Sequence, residues 1–218
     1  MATVTIYPEY NIRVDRLASG TWSSIVSGDG TSTSTTAHSV ATSVIFTFGC
    51  SRNYFRFDTT SIPTGATITS ADVKVYMHST AGSNAAAEFH KLFKSDDLSS
   101  DDASLYQSIT STDADTVTDV GGSTGWKTFE VDGDLLTYLQ TQVTAGNKTA
   151  VILRNQLDYG GSQPTGIESH LFYGLDDDDV SGEDYRPYLT VDYTVGTSVK
   201  LTLNSGKLKI NSGKVTIG

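Results

Sequence analysis

With one cysteine, Cys50, in 218 residues, the chain can form no internal disulfide, so the fold must stand on its packed core. A small apolar residue ahead of a strand, Cys50 is expected to be packed rather than reactive. Positive charge is also scarce. Fifteen Lys and Arg face 25 Asp and Glu, a formal net charge of −10, and phosphate binding needs a basic surplus; nucleic acid and an anionic membrane surface are therefore not expected as partners. No apolar run approaches the length of a membrane span, so membrane insertion is not expected. The N-terminus lacks the basic and apolar regions of a signal peptide. Met1 followed directly by an alternating strand at Val4 and Ile6 suggests a protein made and assembled in a cytoplasm, or else a recombinant start. The four histidines, His38, His78, His90 and His170, share no metal-ligand spacing.

What is abundant is Thr, Ser, Gly and Tyr, the texture of short strands joined by polar turns, and apolar residues at 37% are enough to bury a core. Period-two alternation predicts an opening strand or two over 1–14, then core strands near 43–48, 54–57, 71–78, 87–93, 127–131, 149–154, 169–174 and 188–193. Residues 28–42 read as a long polar loop or exposed hairpin. Only 134–143 has helical spacing, with Leu135, Leu139 and Val143 on one face. The expected fold is all-β, an antiparallel β-sandwich or jelly roll with one short helix and a C-terminal β-ribbon. Gly121-Gly122-Ser123-Thr124-Gly125 matches the G-x-S-x-G pattern, but that motif works between a strand and a helix, and here a strand follows. A glycine-rich turn is expected instead.

The segment from Asn53 to Tyr76 is the most informative. Tyr54-Phe55-Arg56-Phe57 reads as a strand, Ile62-Pro63-Thr64-Gly65 as a corner in which Gly65 is free to take positive φ, and Ala71 to Tyr76 as a second strand. Ile62 and Ile68 are expected to cap one core from both sides. The run Arg56-Phe57-Asp58, then Ser61-Ile62-Pro63 through Ala71, resembles the signature of the DNRLRE (disaggregatase-related) domains. Weaker echoes follow in the family's order at 125–131, 150–154 and 186–193, so the resemblance covers roughly residues 1–195, apart from 28–42 and an acidic insert around 96–119 that match nothing in it. It implies a β-sandwich akin to carbohydrate-binding modules, contact with carbohydrate, a place on a secreted or surface protein, and no active site of its own.

Residues 196–218 form a separate tail. Asn204-Ser205-Gly206-Lys207 recurs as Asn211-Ser212-Gly213-Lys214, with aliphatic triplets around each copy, the pattern of short strands and tight turns. Such a ribbon is too small to bury its own apolar face. The tail holds Lys200, Lys207, Lys209 and Lys214 and no acid, whereas the chain as a whole is acidic, so docking on an acidic surface is expected. Leu201, Leu203, Lys207, Leu208, Lys209, Ile210, Lys214, Val215 and Ile217 are the expected assembly residues, contacting further copies of the chain or a particle.

Two candidate sites remain. Asp176, Asp177, Asp178 and Asp179 with Asp184 supply the hard oxygens that a structural calcium takes, although their spacing is not that of a dedicated calcium loop. Trp22, Tyr106, Tyr159, Tyr173 and Tyr185 fall in or beside predicted loops, where rings can stack on the C–H faces of sugars, whereas Trp126 at a strand start is expected in the core. The expectation is a non-enzymatic structural protein of a virion or extracellular assembly, such as a phage decoration, fibre or tail-associated protein, with a glycan-binding sandwich. The rivals are a secreted bacterial or archaeal polysaccharide-binding module accessory to an enzyme, and an enzyme that cleaves polysaccharide with clustered acids.

Overall fold

The alternation that marks 71–78 extends in both directions to make the longest strand of the molecule. In chain order the elements are β1 (Ala2–Ile6), β2 (Pro8–Ala18), α1 (Trp22–Val26), β3 (Ser32–Ser34), β4 (His38–Val44), β5 (Phe48–Phe57), a 3-10 turn (Thr59–Ser61), β6 (Ala66–Ala81), β7 (Phe89–Lys94), β8 (Thr118–Asp119), β9 (Gly125–Glu130), α2 (Gly133–Ala145), β10 (Thr149–Asn155), α3 (Gln156–Tyr159), β11 (Glu168–Phe172), β12 (Tyr188–Val195), β13 (Leu208–Asn211) and β14 (Lys214–Ile217). The structure is a computed structural model that describes residues 1–34, 38–44, 48–82, 89–95, 118–175, 183–196, 208–211 and 214–217.

The fold is all-β, as the sequence implies. Twelve strands form one antiparallel sheet that curls around the main core. Two long strands organise it by exchanging neighbours along one edge. β5 pairs with β2 along one side, and on the other it pairs with β4 through Phe48–Ser51 and with β10 through Asn53–Phe57. β6 pairs with β12 over Ala66–Lys74 and with β11 from Met77 to Ala81, while β9 takes its opposite edge over Asp72–Met77. β4 and β11 pair with each other and so link the two halves.

The main core gathers Phe55, Phe57, Val73, Val75, Phe129, Val151, Leu153 and Leu189. Ile62 and Ile68 both enter it, as the corner motif requires. The corner itself differs from expectation: Gly65 has no positive φ, and a Cβ there would meet nothing within 4 Å. The Asp58 carboxylate caps the turn instead, accepting from the Thr60 amide at 3.1 Å, and the Thr60 hydroxyl first, with this amide second, holds its pKa below the usual carboxylate range. α2 lays Leu135, Leu139 and Val143 on the core, and its Gln140 side chain bonds the Ile68 amide at 2.8 Å and the Ala66 carbonyl at 3.0 Å. The helix ends at Gly146, which takes the left-handed conformation that glycine tolerates best.

A second core lies over β2, β5 and β10, where Ile12, Val14, Cys50, Tyr54 and Ile152 pack beneath Trp22 and Ile25 of α1. Cys50 is buried in it, as expected. Beside this core Asp158 is enclosed by two guanidiniums, with Arg52 Nε at 2.7 Å from Oδ2 and Arg154 Nε at 2.7 Å. Burial pushes the Asp158 pKa upward, but Arg52 and Arg154 outweigh it and hold the carboxyl well below its ordinary value. Residues 28–42 are less loop-like than the sequence suggests, since β3 and β4 fall there and β4 is an interior strand paired on both edges. Its Ser and Thr residues hide the apolar alternation that marks the other strands.

β13 and β14 form a two-stranded antiparallel sheet of their own, with Leu208 opposite Ile217 and Ile210 opposite Val215. Among the described residues neither strand pairs with the large sheet. Leu201, Leu203 and Lys207 lie outside the described residues.

Candidate functional site

On the outer face of the sheet half made by β9, β6, β12 and β1, the positions that alternate with core residues carry rings. In β6 the buried Val73, Val75 and Met77 alternate with Lys74, Tyr76 and His78. In β9 Trp126 sits opposite Tyr76 while Phe129 faces the core. In β12 Tyr188 sits opposite Lys74 while Leu189 and Val191 face the core. Strand phase therefore sends these rings away from the core.

The exchange of partners on β6 gathers further rings at the same place. β11 leaves β6 at Phe172 and β12 joins it at Tyr188, so the intervening chain departs and returns beside Tyr76. Tyr173 directly follows β11 and its amide bonds the Tyr76 carbonyl at 3.0 Å, while Tyr185 precedes β12. The Tyr76 and Tyr185 centroids are 4.2 Å apart, Tyr173 and Tyr185 stack at 5.2 Å with 17° between planes, and His78 stacks on Tyr173 at 4.6 Å. Trp126 meets Tyr76 edge-on at 5.5 Å and Tyr188 at 5.3 Å, and Tyr188 meets Tyr7 at 6.2 Å. One continuous strip of seven rings results. Trp126 and Tyr7 are each 41% exposed, so the strip presents large apolar surface to solvent.

Polar groups border the rings. Arg186 lies 4.2 Å over the Tyr7 ring and holds Asp184 through Nε to Oδ1 at 3.0 Å and Nη2 to Oδ2 at 2.9 Å. Tyr7 also hydrogen-bonds Asp184. These bonds, Arg186 foremost, draw the Asp184 pKa down to about 2, so it is a carboxylate in any neutral medium. Partial burial first, and Asp184 second, push the Tyr7 phenol upward, so it stays protonated. Lys74 lies 5.9 Å over the Tyr188 ring and has no carboxylate partner among the described residues. Fixed rings beside pre-oriented donors and acceptors suit a ligand with apolar faces and hydroxyl edges.

The strip brings together two of the five expected loop aromatics, Tyr173 and Tyr185. Trp22 is not among them: it is 4% exposed, in α1, with its ring 5.8 Å from Phe48 in the second core. Trp126, expected in the core, is the exposed one. Tyr159 stands elsewhere, half-buried at the end of α3 against Phe93 at 5.8 Å. Tyr106 lies outside the described residues, as do Asp176, Asp177, Asp178 and Asp179. Asp184, expected with those four as a calcium ligand, has its carboxylate in the bidentate pair with Arg186, and among the described residues no three His, Cys, Asp or Glu side chains converge as metal ligands. Sequence reasoning missed Tyr7, Tyr76, Trp126 and Tyr188. The signal was present in the alternation of each strand, which puts Tyr76 out of phase with Val75 and Tyr188 out of phase with Leu189.

Two other features carry less chemistry. A groove of about 350 Å³ over β2, β4 and β5 is lined by Arg13, Asp15, Leu17, Ser39, Ser43 and Ser51, but among the described residues no aromatic ring lines it and Arg13 and Asp15 pair with each other at 2.9 Å. Gly121 and Gly125 take positive φ and lead into β9, so the G-x-S-x-G match is a turn with no helix after its serine. Compared with known proteins, the chain matches no family model and no curated protein, so the likeness to DNRLRE domains rests on the motif residues alone.

Proposed function

We propose that the chain is a non-enzymatic module that binds polysaccharide on the aromatic strip and is held in an assembly by its C-terminal hairpin. The carrying observation is the run Trp126–Tyr188–Tyr7, exposed at both ends, with the Tyr76–Tyr185–Tyr173 stack beside it on a sheet face that need not spend rings on its own core. A soluble monomer gains little by arraying rings outward. A sugar polymer gains contact with every C–H face it lays on them. The resemblance to carbohydrate-binding β-modules points the same way, as analogy. Affinity electrophoresis through gels containing soluble β-glucan, xylan, galactomannan, homogalacturonan or alginate tests it. At least one polymer should retard the protein, and Trp126→Ala should run unretarded with an unchanged melt. Equal mobility of the two proteins in every gel would remove the reading.

The attachment role rests on β13 and β14, which pair only with each other among the described residues and come from a basic segment of an acidic chain. Copies of the same chain, or the surface of a virion or extracellular particle, are the partners that this role implies. Deleting 197–218 should leave the melt unchanged and reduce any multimer to monomers in sedimentation. A truncated protein that unfolds would make the hairpin part of the fold instead.

A further inference from the structure

The strip's placement on the sheet says which part of a polymer it takes. It rests on the polysaccharide reading above. Trp126 lies on β9 and Tyr7 just beyond β1, and among the described residues these two strands end their half of the sheet: β9 pairs only with β6, and β1 only with β12. The rings therefore cross four strands from one edge to the other, Trp126 on β9, Tyr76 on β6, Tyr188 on β12 and Tyr7 after β1. Among the described residues no further strand pairs with either edge, although β8 lies beside β9, where the Thr118 hydroxyl donates to the Thr128 carbonyl at 3.2 Å.

The ring spacing sets a length. Tyr188 stands 5.3 Å from Trp126 and 6.2 Å from Tyr7, so the two exposed rings are two ring-spacings apart. One pyranose is about as wide as one aromatic ring and covers one of them, so reaching both outer rings across Tyr188 takes three consecutive sugars. Polar contacts are spread along this line too, with Lys74 beside Tyr188 and the Asp184–Arg186 pair beside Tyr7. A site for a chain end would collect such groups at one closed point. Here a sugar over Tyr188 or Tyr7 gains one ring and one polar neighbour, and a sugar over Trp126 a ring alone, so affinity must come from several sugars bound at once.

We infer that the strip binds internal stretches of a linear polysaccharide, at least three consecutive sugars long, and takes neither a single sugar nor a chain end. The test uses the full chain and whichever gel polymer retards it, cut by partial acid hydrolysis to a series of lengths and titrated calorimetrically at equal mass. Binding capacity per unit mass should stay constant as the chains shorten and their ends multiply, until pieces of one or two sugars, where affinity falls about tenfold or more. Capacity rising in proportion to the number of ends, or a monosaccharide that binds as well as the polymer, would overturn the inference while leaving the strip as the binding surface. Trp126→Ala and Tyr7→Ala, each checked by its melt, separate the two failures. If neither changes the titration, the strip is not the site and both readings go. If Trp126→Ala alone abolishes binding and Tyr7→Ala changes nothing, the site is a single-ring contact and the three-sugar length is wrong.

Discussion

Trp22 and Trp126 are the only tryptophans of the chain, and they occupy regions with opposite uses for a large ring. Trp22 is in a short helix after a polar turn, yet α1 presses it onto β5, where it roofs the second core at 4% exposure. Trp126 opens a strand whose other side buries Phe129, and it stands 41% exposed on the far face. Position in a loop or a strand therefore says little about whether a ring is free. The phase of a strand residue against its neighbours, and the presence of a cover such as α1, decide it. The same contrast separates the buried polar groups, Asp158 between two arginines and His170 against His90, from the exposed Asp184–Arg186 pair.

The comparison breaks first on stability. Trp22→Ala should cost about 3–5 kcal/mol in chemical denaturation and leave polysaccharide retardation intact, because it empties a packed site under α1. Trp126→Ala should do the reverse. If the two variants lose stability alike, the division into core and ligand surface is wrong. Asp158→Ala should be comparably damaging, about 3–5 kcal/mol, since it leaves Arg52 and Arg154 buried without their carboxylate. Asp184→Ala, in the exposed pair, should change stability by less than about 1 kcal/mol.

Acidification sharpens the same division. His170 is buried beside His90, and burial first, with Lys127 second, lowers its pKa to about 4 from 6.5. The unfolded chain thus takes up this proton more readily than the folded one. The His170 contribution to stability is complete above pH 6.5, declines as pH falls from 6.5 to about 4, and then levels, a loss of about 3 kcal/mol. Denaturation at pH 7 and pH 4.5 should show it, and His170→Gln should flatten the slope. The Asp158 carboxyl, held low, adds its own loss only as pH falls below the ordinary carboxylate range toward its depressed value.

Much of the scaffold was legible in the sequence. Alternation located seven of the eight expected core strands close to where they lie, and the i, i+4, i+8 spacing of Leu135, Leu139 and Val143 located α2. β4 escaped because its exchange of partners with β10 along β5 depends on a distant strand, and its Ser-Thr composition reads as loop. α1 and α3 escaped because five and four residues are too few to show a helical period. The site was half legible: Tyr173 and Tyr185 were expected, but their meeting at Tyr76 follows from the switch of β6 between β12 and β11, which pairing alone reveals. The Arg52–Asp158 pair, 106 residues apart in sequence, left no local signal at all.

The smallest expected effect concerns the ring between the two exposed ones. Tyr188→Ala should weaken polysaccharide binding by about 1 kcal/mol, roughly fivefold, with Trp126 and Tyr7 still in place. A larger loss than that of Trp126→Ala would move the centre of the site to β12.

Acrylamide quenching of tryptophan emission, read in the wild type and in Trp126→Phe with and without the retarding polymer, tests the central division most directly. The account predicts that the wild type has one readily quenched component, that the polymer protects it, and that Trp126→Phe retains only a quencher-resistant emission that the polymer does not change. An emission in Trp126→Phe that quenches freely, or a wild-type component that the polymer leaves unprotected, would contradict it.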